Sequence, residues 1–253
     1  MTTPEWLYWT AGAVPALLLA PASGSFGGLL AMRLPAGRPV GMVRSECPIC
    51  GTTLDAIDLT PILTWVATRG RCRHCAAPIP PVYPLIEVAA LVLTAWAIWV
   101  LPHRLELLWA SCVLGWVLLA LSLADWEARI LPDGLTWPLA AAGFGYAVYD
   151  GRWLDSAIGA VVGAGAFWAL RWAYLRFRGQ DGLGGGDVKL ALAAGAWVGW
   201  AALPSVVLVA AVAALVVAVP GRLMGRLAKA EEIPFGPFLA AGLWLVWLYG
   251  PVL

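Results

Sequence analysis

Long apolar runs separated by short polar segments make up most of the chain. A bilayer core of about 30 Å needs roughly 20 apolar residues in one helix. Runs near that length predict eight transmembrane helices, at approximately residues 8–32, 84–101, 105–123, 134–149, 155–175, 188–200, 203–221 and 235–250. We therefore predict an all-α fold, a polytopic transmembrane helical bundle of about eight spans.

One longer polar segment interrupts this pattern after the first span. Residues 34–83 contain Pro, Gly and four cysteines in place of a sustained apolar run. The pattern predicts three parts, which are a first transmembrane span at 1–33, a small soluble module at 34–83 and a membrane-embedded core at 84–253.

The composition agrees with a membrane location. The 253 residues are 61% hydrophobic and 12% charged, and the mean hydropathy is +0.80. A surface this apolar needs membrane lipid as a partner, and the 16 Trp residues fit helix ends anchored at the interface. The net charge of +1 comes with no basic stripe, which argues against a nucleic-acid partner.

The basic residues indicate the orientation of the chain, because Lys and Arg collect in the cytoplasmic loops of membrane proteins. With the N-terminus outside, the predicted spans place 14 of the 16 basic residues on the cytoplasmic side. The two exceptions are Arg104 and Arg152. This orientation predicts that the module at 34–83 is cytoplasmic.

Four of the five cysteines form two C-x-x-C pairs. Cys47 and Cys50 make the first pair and Cys72 and Cys75 the second, with 21 residues between the pairs. Thiolates at this spacing are typical of a closed tetrahedral Zn²⁺ site, which stabilises a segment too small to fold unaided. The alternative is two redox pairs or free thiols. The residues predicted not to bind the metal are His74 and Cys112.

Two aspartates occur at predicted helix ends on the cytoplasmic side. Asp125 ends the third span, and Asp187 begins the sixth after three consecutive glycines. Two carboxyl groups that share a proton can hydrolyse a peptide, one as a base on water and one as an acid toward the scissile carbonyl. We expect the glycine-rich run 182–186 to stay non-helical, so that an extended substrate can approach Asp187. In the structural alternative, Asp187 caps its helix and Asp125 pairs with Arg129 at i,i+4.

The motifs around these aspartates resemble those of the type IV prepilin peptidases, the bifunctional leader peptidases and N-methyltransferases of the GxGD aspartyl protease type. Residues 184–190 fit the family signature G-x-G-D-x-K-L, and residues 125–133 fit the signature D-x6-P-D. Further matches lie at residues 24–33, 44–51, 69–75 and 233–239.

The resemblance implies a set of site residues. The catalytic pair falls on Asp125 and Asp187, and Asp133 and Lys189 are further members of the two motifs. Lys189 either orients Asp187 or is a helix-end charge that extends to the membrane surface. The implied metal ligands are Cys47, Cys50, Cys72 and Cys75, and the implied substrate contacts are Gly184, Gly186 and Lys189.

The resemblance also implies partners and a location. The substrates would be prepilins and pseudopilins of type IV pili and type II secretion, each with an N-terminal apolar helix, cut after a Gly and usually before a Phe. The new amine would be methylated from S-adenosylmethionine by a part that includes the module at 34–83. No glycine-rich nucleotide fingerprint marks the methyl-donor site, for which Glu87 is one candidate polar group. The implied location is the bacterial inner membrane, with a peptidase core at 84–253.

Two functions of other classes account for part of the sequence. A polytopic transporter would bind an ion with Asp125 and Asp187, although such charges usually lie near the bilayer midplane. A non-catalytic zinc scaffold would recruit a partner through the four paired cysteines. It would leave the glycine-aspartate motif without a role.

Overall fold

A computed structural model describes residues 3–41, 44–101, 103–179, 183–224 and 233–252. In these residues the regular structure is helical, and the β pairing is limited to two isolated bridges. The all-α fold class is therefore confirmed. The helices are α1 (Glu5–Tyr8), a π-helical turn (Trp9–Ala13), α2 (Val14–Arg33), α3 (Leu63–Ala67), α4 (Val82–Val100), α5 (Leu105–Ala128), α6 (Asp133–Tyr149), α7 (Trp153–Arg178), α8 (Gly185–Val198), α9 (Leu203–Leu223) and α10 (Gly236–Tyr249).

The number of membrane spans differs from the prediction. In the described chain, five helical runs are long and apolar enough to cross a membrane, at Glu5–Arg33, Val82–Val100, Leu105–Ala128, Trp153–Arg178 and Leu203–Leu223. The protein is therefore a multi-pass membrane protein. The remaining predicted spans form α6 with 17 residues and α8 and α10 with 14 each. A 14-residue helix extends only about 21 Å, so the predicted count of eight spans is not confirmed.

The chain forms two compact units, Met1–Ala120 and Leu121–Leu253. In the first unit, α2 packs closely on α4 because glycines line their contact. A Cβ atom on Gly24 would lie 2.9 Å from Cα of Glu87, and one on Gly28 would lie 3.3 Å from the Ile86 side chain. Trp116 of α5 donates a hydrogen bond of 3.0 Å to the Thr94 hydroxyl of α4. The predicted three-part division at residues 33 and 83 stays a prediction.

The second unit is built around α8, whose residues are mostly buried. Gly159 and Gly163 of α7 face the backbone of Gly195 and Ala191 of α8, with no room for a larger side chain. Such small residues four apart let two membrane helices approach closely. Trp197 of α8 donates a hydrogen bond of 2.9 Å to the Leu139 carbonyl of α6. This packing fixes the position of α8, which carries Asp187.

The glycine contact between α7 and α8 can be tested with Gly159→Ala. We expect a fall in the thermal unfolding midpoint of several degrees, because an added methyl group meets backbone atoms that cannot rotate away, at a cost of about 1–3 kcal/mol. The matched control is Gly165→Ala in the same helix, where a Cβ atom meets nothing within 4 Å. Equal midpoints for the two variants in detergent would contradict this account of the packing.

Candidate active site and cysteine cluster

Asp125 lies in the last turn of α5 and is only 8% exposed. Its Oδ2 atom accepts a hydrogen bond of 3.0 Å from the backbone N–H of Gly236, the first residue of α10. A Cβ atom on Gly236 would lie 2.6 Å from Oδ2, so only glycine allows this approach. Gly236 is not among the site residues predicted from the sequence, although the matched segment 233–239 contains it.

Asp187 lies in the first turn of α8 and is also 8% exposed. Its carboxyl group is next to the backbone of Gly184 and interacts electrostatically with Asp125. The structure thus brings together two acidic side chains that are 62 positions apart in the sequence. The contact with Gly184 also stabilises the start of α8, so helix capping and a chemical role are compatible at this position.

The glycines before Asp187 differ from the expectation of a non-helical run. Helix α8 begins at Gly185, so Gly185 and Gly186 are helical, while Gly182 lies outside the described residues. A Cβ atom on Gly186 would lie 2.9 Å from Cβ of Leu131, and one on Gly185 would lie 2.9 Å from the Arg171 guanidinium. These glycines allow neighbouring side chains to approach the helix. The predicted substrate contacts of Gly184 and Gly186 stay a prediction.

Lys189 forms an ion pair with Asp133, the first residue of α6. This contact links the motif D-x6-P-D, which contains Asp133, to the motif G-x-G-D-x-K-L, which contains Lys189. The Lys189 side chain is 37% exposed and the Asp133 side chain 60% exposed, so water screens the pair and its energy is modest. The predicted role of Lys189 in substrate binding stays a prediction.

Arg129 follows α5 with a left-handed φ of 57°, and its N–H donates to the Asp125 carbonyl at 3.0 Å. Its positive charge acts on the Asp125 carboxyl group through space. Within the described residues, however, no ion pair forms between the two side chains. The structural alternative predicted such a pair at i,i+4, and the left-handed turn at Arg129 explains why it is not formed.

The four paired cysteines meet in the first unit, and their sulfur atoms all lie within 4.8 Å of one another. The Sγ atoms of Cys47 and Cys75 are 3.8 Å apart. Four sulfurs bound to one Zn²⁺ at about 2.3 Å would be separated by about 3.8 Å at the corners of a tetrahedron. The donor set therefore fits Zn²⁺, and all four positions would be filled by protein. Zn²⁺ bound in this way supplies a structural cross-link.

The two cysteine turns share one backbone design. Cys47 and Cys72 each accept a hydrogen bond of 2.8 Å at their carbonyl oxygen from the residue four positions later, which are Gly51 and Ala76. Both of these residues have a left-handed φ, 68° for Gly51 and 59° for Ala76. The left-handed residue turns the chain back after each pair, so that both sulfurs of the pair face the cluster.

The thiols of the cluster differ in acidity. Hydrogen bonds with the side chain and the backbone of Thr52 lower the pKa of Cys50 to about 6. The backbone hydrogen bond of Ala77 lowers the pKa of Cys75, but desolvation and hydrogen bonds with the other thiols outweigh it and raise this pKa to about 12. A cluster that loses its first proton easily and its last with difficulty favours a cation in place of the remaining protons.

Asp58 ties the second cysteine turn to the preceding loop. Its carboxyl group lies 3.1 Å from Arg73 and 3.5 Å from His74, and it accepts a hydrogen bond of 3.1 Å from the Asp55 backbone. The Asp55 hydrogen bond is the main cause of a lowered pKa at Asp58. His74 therefore contacts Asp58, and the cysteine cluster does not include it.

Comparison with known proteins gives two adjoining matches. Residues 18–101 match the Bacterial Peptidase A24 N-terminal domain, and residues 112–219 match the Type IV leader peptidase family. A prepilin leader peptidase/N-methyltransferase from Burkholderia pseudomallei (strain K96243) is 44% identical over 212 residues, which are 83% of this chain and 68% of the relative. This chain belongs to the type IV leader peptidase family.

Other relatives with the same description have a similar identity to this chain and a similar coverage. The relative from Aeromonas hydrophila is 40% identical, with 82% of this chain and 72% of the relative covered. The relative from Pseudomonas aeruginosa PAO1 is 37% identical, with 81% and 71% covered. No solved structure matches the chain. The resemblance found in the sequence is confirmed, and with it the assignment to a family of peptidases.

The family matches cover most of the site. The leader peptidase match contains Asp125 and Asp187 but ends before Gly236. The N-terminal domain match contains the four clustered cysteines and also Glu87. The aspartate pair and the cysteine cluster therefore fall in different family domains.

The cysteine cluster can be tested by metal analysis of the purified protein. We expect about one zinc per chain in the wild type and a loss of most of it in Cys50→Ser or Cys72→Ser, because a closed site needs all four thiolates. Cys112→Ser is the matched control, because Cys112 is buried outside the cluster. Full zinc content in the Cys72→Ser variant would argue against this ligand set.

Proposed function

We propose that this protein is an aspartyl endopeptidase that removes the leader from type IV prepilins and pseudopilins and then methylates the new N-terminus. The family assignment and the names of the relatives support this proposal. The observation that carries the peptidase part is the placement of two buried acidic side chains, Asp125 and Asp187, close enough to interact.

The chemistry follows from the surroundings of the two carboxyl groups. Like charges in a poorly solvated site cannot both ionise easily, so the pair holds one proton between its members. The ionised member takes a proton from a water molecule as the water attacks the scissile carbonyl, and the protonated member donates to the carbonyl oxygen. The C–N bond then breaks as the carbonyl re-forms, the first carboxyl group gives its proton to the leaving amine, and the second recovers its own. The titration belongs to the pair and not to either residue alone.

Gly236 positions Asp125 for this reaction. Its N–H donates to Oδ2, which leaves the other oxygen of Asp125 for water or for Asp187. The N-terminus of α10 also carries a partial positive charge that favours the ionised form of a nearby carboxyl group. We propose that Asp125 starts the reaction as the ionised member of the pair.

The distribution of charge supports a cytoplasmic site. Fourteen of the 16 basic residues lie on one side of the predicted topology, and both aspartates lie at helix ends on that side. The apolar helix of a prepilin would lie in the bilayer and bring the scissile bond to this edge. The relatives are bacterial, so the membrane would be the inner membrane of a bacterial cell.

Methylation would use S-adenosylmethionine, which supplies an electrophilic methyl group when it is bound. The contribution of this chain is to hold the amine of the cleaved polypeptide in place. The cysteine cluster, with Zn²⁺ bound by Cys47, Cys50, Cys72 and Cys75, would stabilise the module at 34–83.

The catalytic roles can be tested with Asp125→Asn and Asp187→Asn. We expect each variant to lose at least about 100-fold in the rate of leader cleavage, because an amide can neither accept nor donate the shared proton. Cleavage is measured as the mass change of a purified prepilin in detergent or nanodiscs. Asp150→Asn, which changes an exposed aspartate paired with Arg152, is the matched control and should cleave normally. Normal cleavage by Asp187→Asn would refute the proposal.

The role of Gly236 gives a separate test. In Gly236→Ala the added methyl group displaces the Asp125 carboxyl group, and we expect a fall in kcat of about 10- to 100-fold with little change in KM. Gly145→Ala is the control, since a Cβ atom there meets nothing within 4 Å. An unchanged kcat for Gly236→Ala would show that the Asp125 contact is not needed.

A further inference from the structure

Glu87 is an acidic side chain inside a candidate membrane span. It lies in α4, five residues after the start of that helix, and is only 6% exposed. An ionisable group in a span is expensive, and such groups usually face a functional partner. Oε2 of Glu87 accepts a hydrogen bond of 2.7 Å from the backbone N–H of Ile62, which precedes α3.

The carboxyl group is only partly satisfied by this contact. Among the residues that the structure describes, Glu87 has no ion pair, and Ile62 is its one hydrogen-bond partner. The second carboxyl oxygen, Oε1, has no hydrogen-bond partner among the described residues. A buried carboxyl group with one unpaired oxygen favours a ligand that donates a hydrogen bond to it, and a cationic donor forms the strongest such bond.

The group is also held rigidly. Ile62 has φ 61° and ψ −53°, and the N–H of Leu63 donates to the Pro61 carbonyl at 2.5 Å, which makes a tight γ-turn of the strained kind. A β-branched residue adopts this conformation only when its surroundings enforce it. The backbone of Glu87 packs on Gly24 of α2, so the helix cannot shift away from the turn. A rigid carboxyl group is suited to orienting a ligand.

We propose that Glu87 binds the α-ammonium group of the cleaved polypeptide and positions its nitrogen for methylation. The carboxylate accepts one proton from the ammonium group, and the nitrogen lone pair released in this way forms the bond to the methyl carbon of the donor. The carbon–sulfur bond breaks at the same time, and its electron pair stays on the departing thioether sulfur. This inference rests on the proposed function and names a residue for its second step. An ammonium group carries three N–H donors and can form a charge-assisted hydrogen bond with Oε1. The sulfonium centre of the methyl donor has no N–H, but the donor also carries an α-ammonium group, so the affinity for S-adenosylmethionine measured below distinguishes the two ligands. Glu87 is therefore a binding residue for the methyl acceptor.

Binding experiments test this site without relying on activity. The probe is a synthetic peptide that begins with Phe followed by an apolar segment, prepared with a free amine and with an acetylated amine. We expect the wild-type protein in nanodiscs to bind the free amine about tenfold more tightly than the acetylated form. Glu87→Gln keeps the size of the side chain and an acceptor for Ile62, and it should bind the two peptides equally. Glu87→Asp keeps the charge and should restore part of the preference.

Controls separate this effect from a change in folding. Glu106→Gln alters another glutamate of the same unit, one paired with Arg104, and should keep the wild-type preference. The Glu87→Gln variant should still cleave prepilin and retain its zinc, but its product should carry far less methyl group by mass spectrometry. Cleaved and unmethylated product from a zinc-containing variant shows that the fold is intact.

Three results would overturn the inference. The first is an unchanged preference for the free amine in Glu87→Gln. The second is normal methylation by that variant, and the third is a loss of affinity for S-adenosylmethionine with the peptide preference intact, which would assign the carboxyl group to the donor. The proposed function fails in a different way, when the wild-type protein binds the free amine but neither cleaves nor methylates prepilin.

Discussion

The site in the second unit depends on close contact between helix backbones. This contact places acidic groups in positions that water solvates poorly. Gly159 and Gly163 bring α7 against α8, and Gly236 lets α10 begin directly at the Asp125 carboxyl group. A buried carboxyl group without a donor loses the hydration that water gave it. The backbone N–H of Gly236 replaces part of that hydration from a fixed direction. The small residues thus create the enclosed site and also supply its hydrogen bond.

The first unit is stabilised by a different kind of interaction. Its module has too few apolar residues for a core, so cross-links replace packing. The cysteine cluster joins the turn at Cys47 to the turn at Cys72, and Asp58 joins the second turn to the loop before it. The Trp65 ring closes over Gly70, where a Cβ atom would lie 2.9 Å from the indole. These contacts hold the strained turn at Ile62 over Glu87.

Local sequence patterns predicted much of this arrangement. Apolar runs predicted each long helix, and the C-x-x-C spacing predicted that four cysteines would meet, because both signals act over a few residues. The contacts of Asp125 with Gly236 and of Lys189 with Asp133 join residues 111 and 56 positions apart, and no local pattern encodes them. The helical conformation of Gly185 and Gly186 was not predicted, for the same reason. Its flexibility is visible in the sequence, but the neighbours that need the space, such as Leu131, are not.

The acidic groups of this protein differ in a way that suits two reactions. Asp125 and Asp187 interact with each other, and a pair that shares a proton can give and take one within a single hydrolytic step. Among the described residues Glu87 has no ion pair, and one of its oxygens is fixed by the Ile62 N–H. A single carboxyl group held in this way can bind an ammonium group without a second carboxyl group that shares its proton. Cleavage needs a proton that two carboxyl groups share, whereas capture of the new amine needs one carboxyl group in a fixed orientation. Separate residues in one chain can therefore perform the two steps without compromising either.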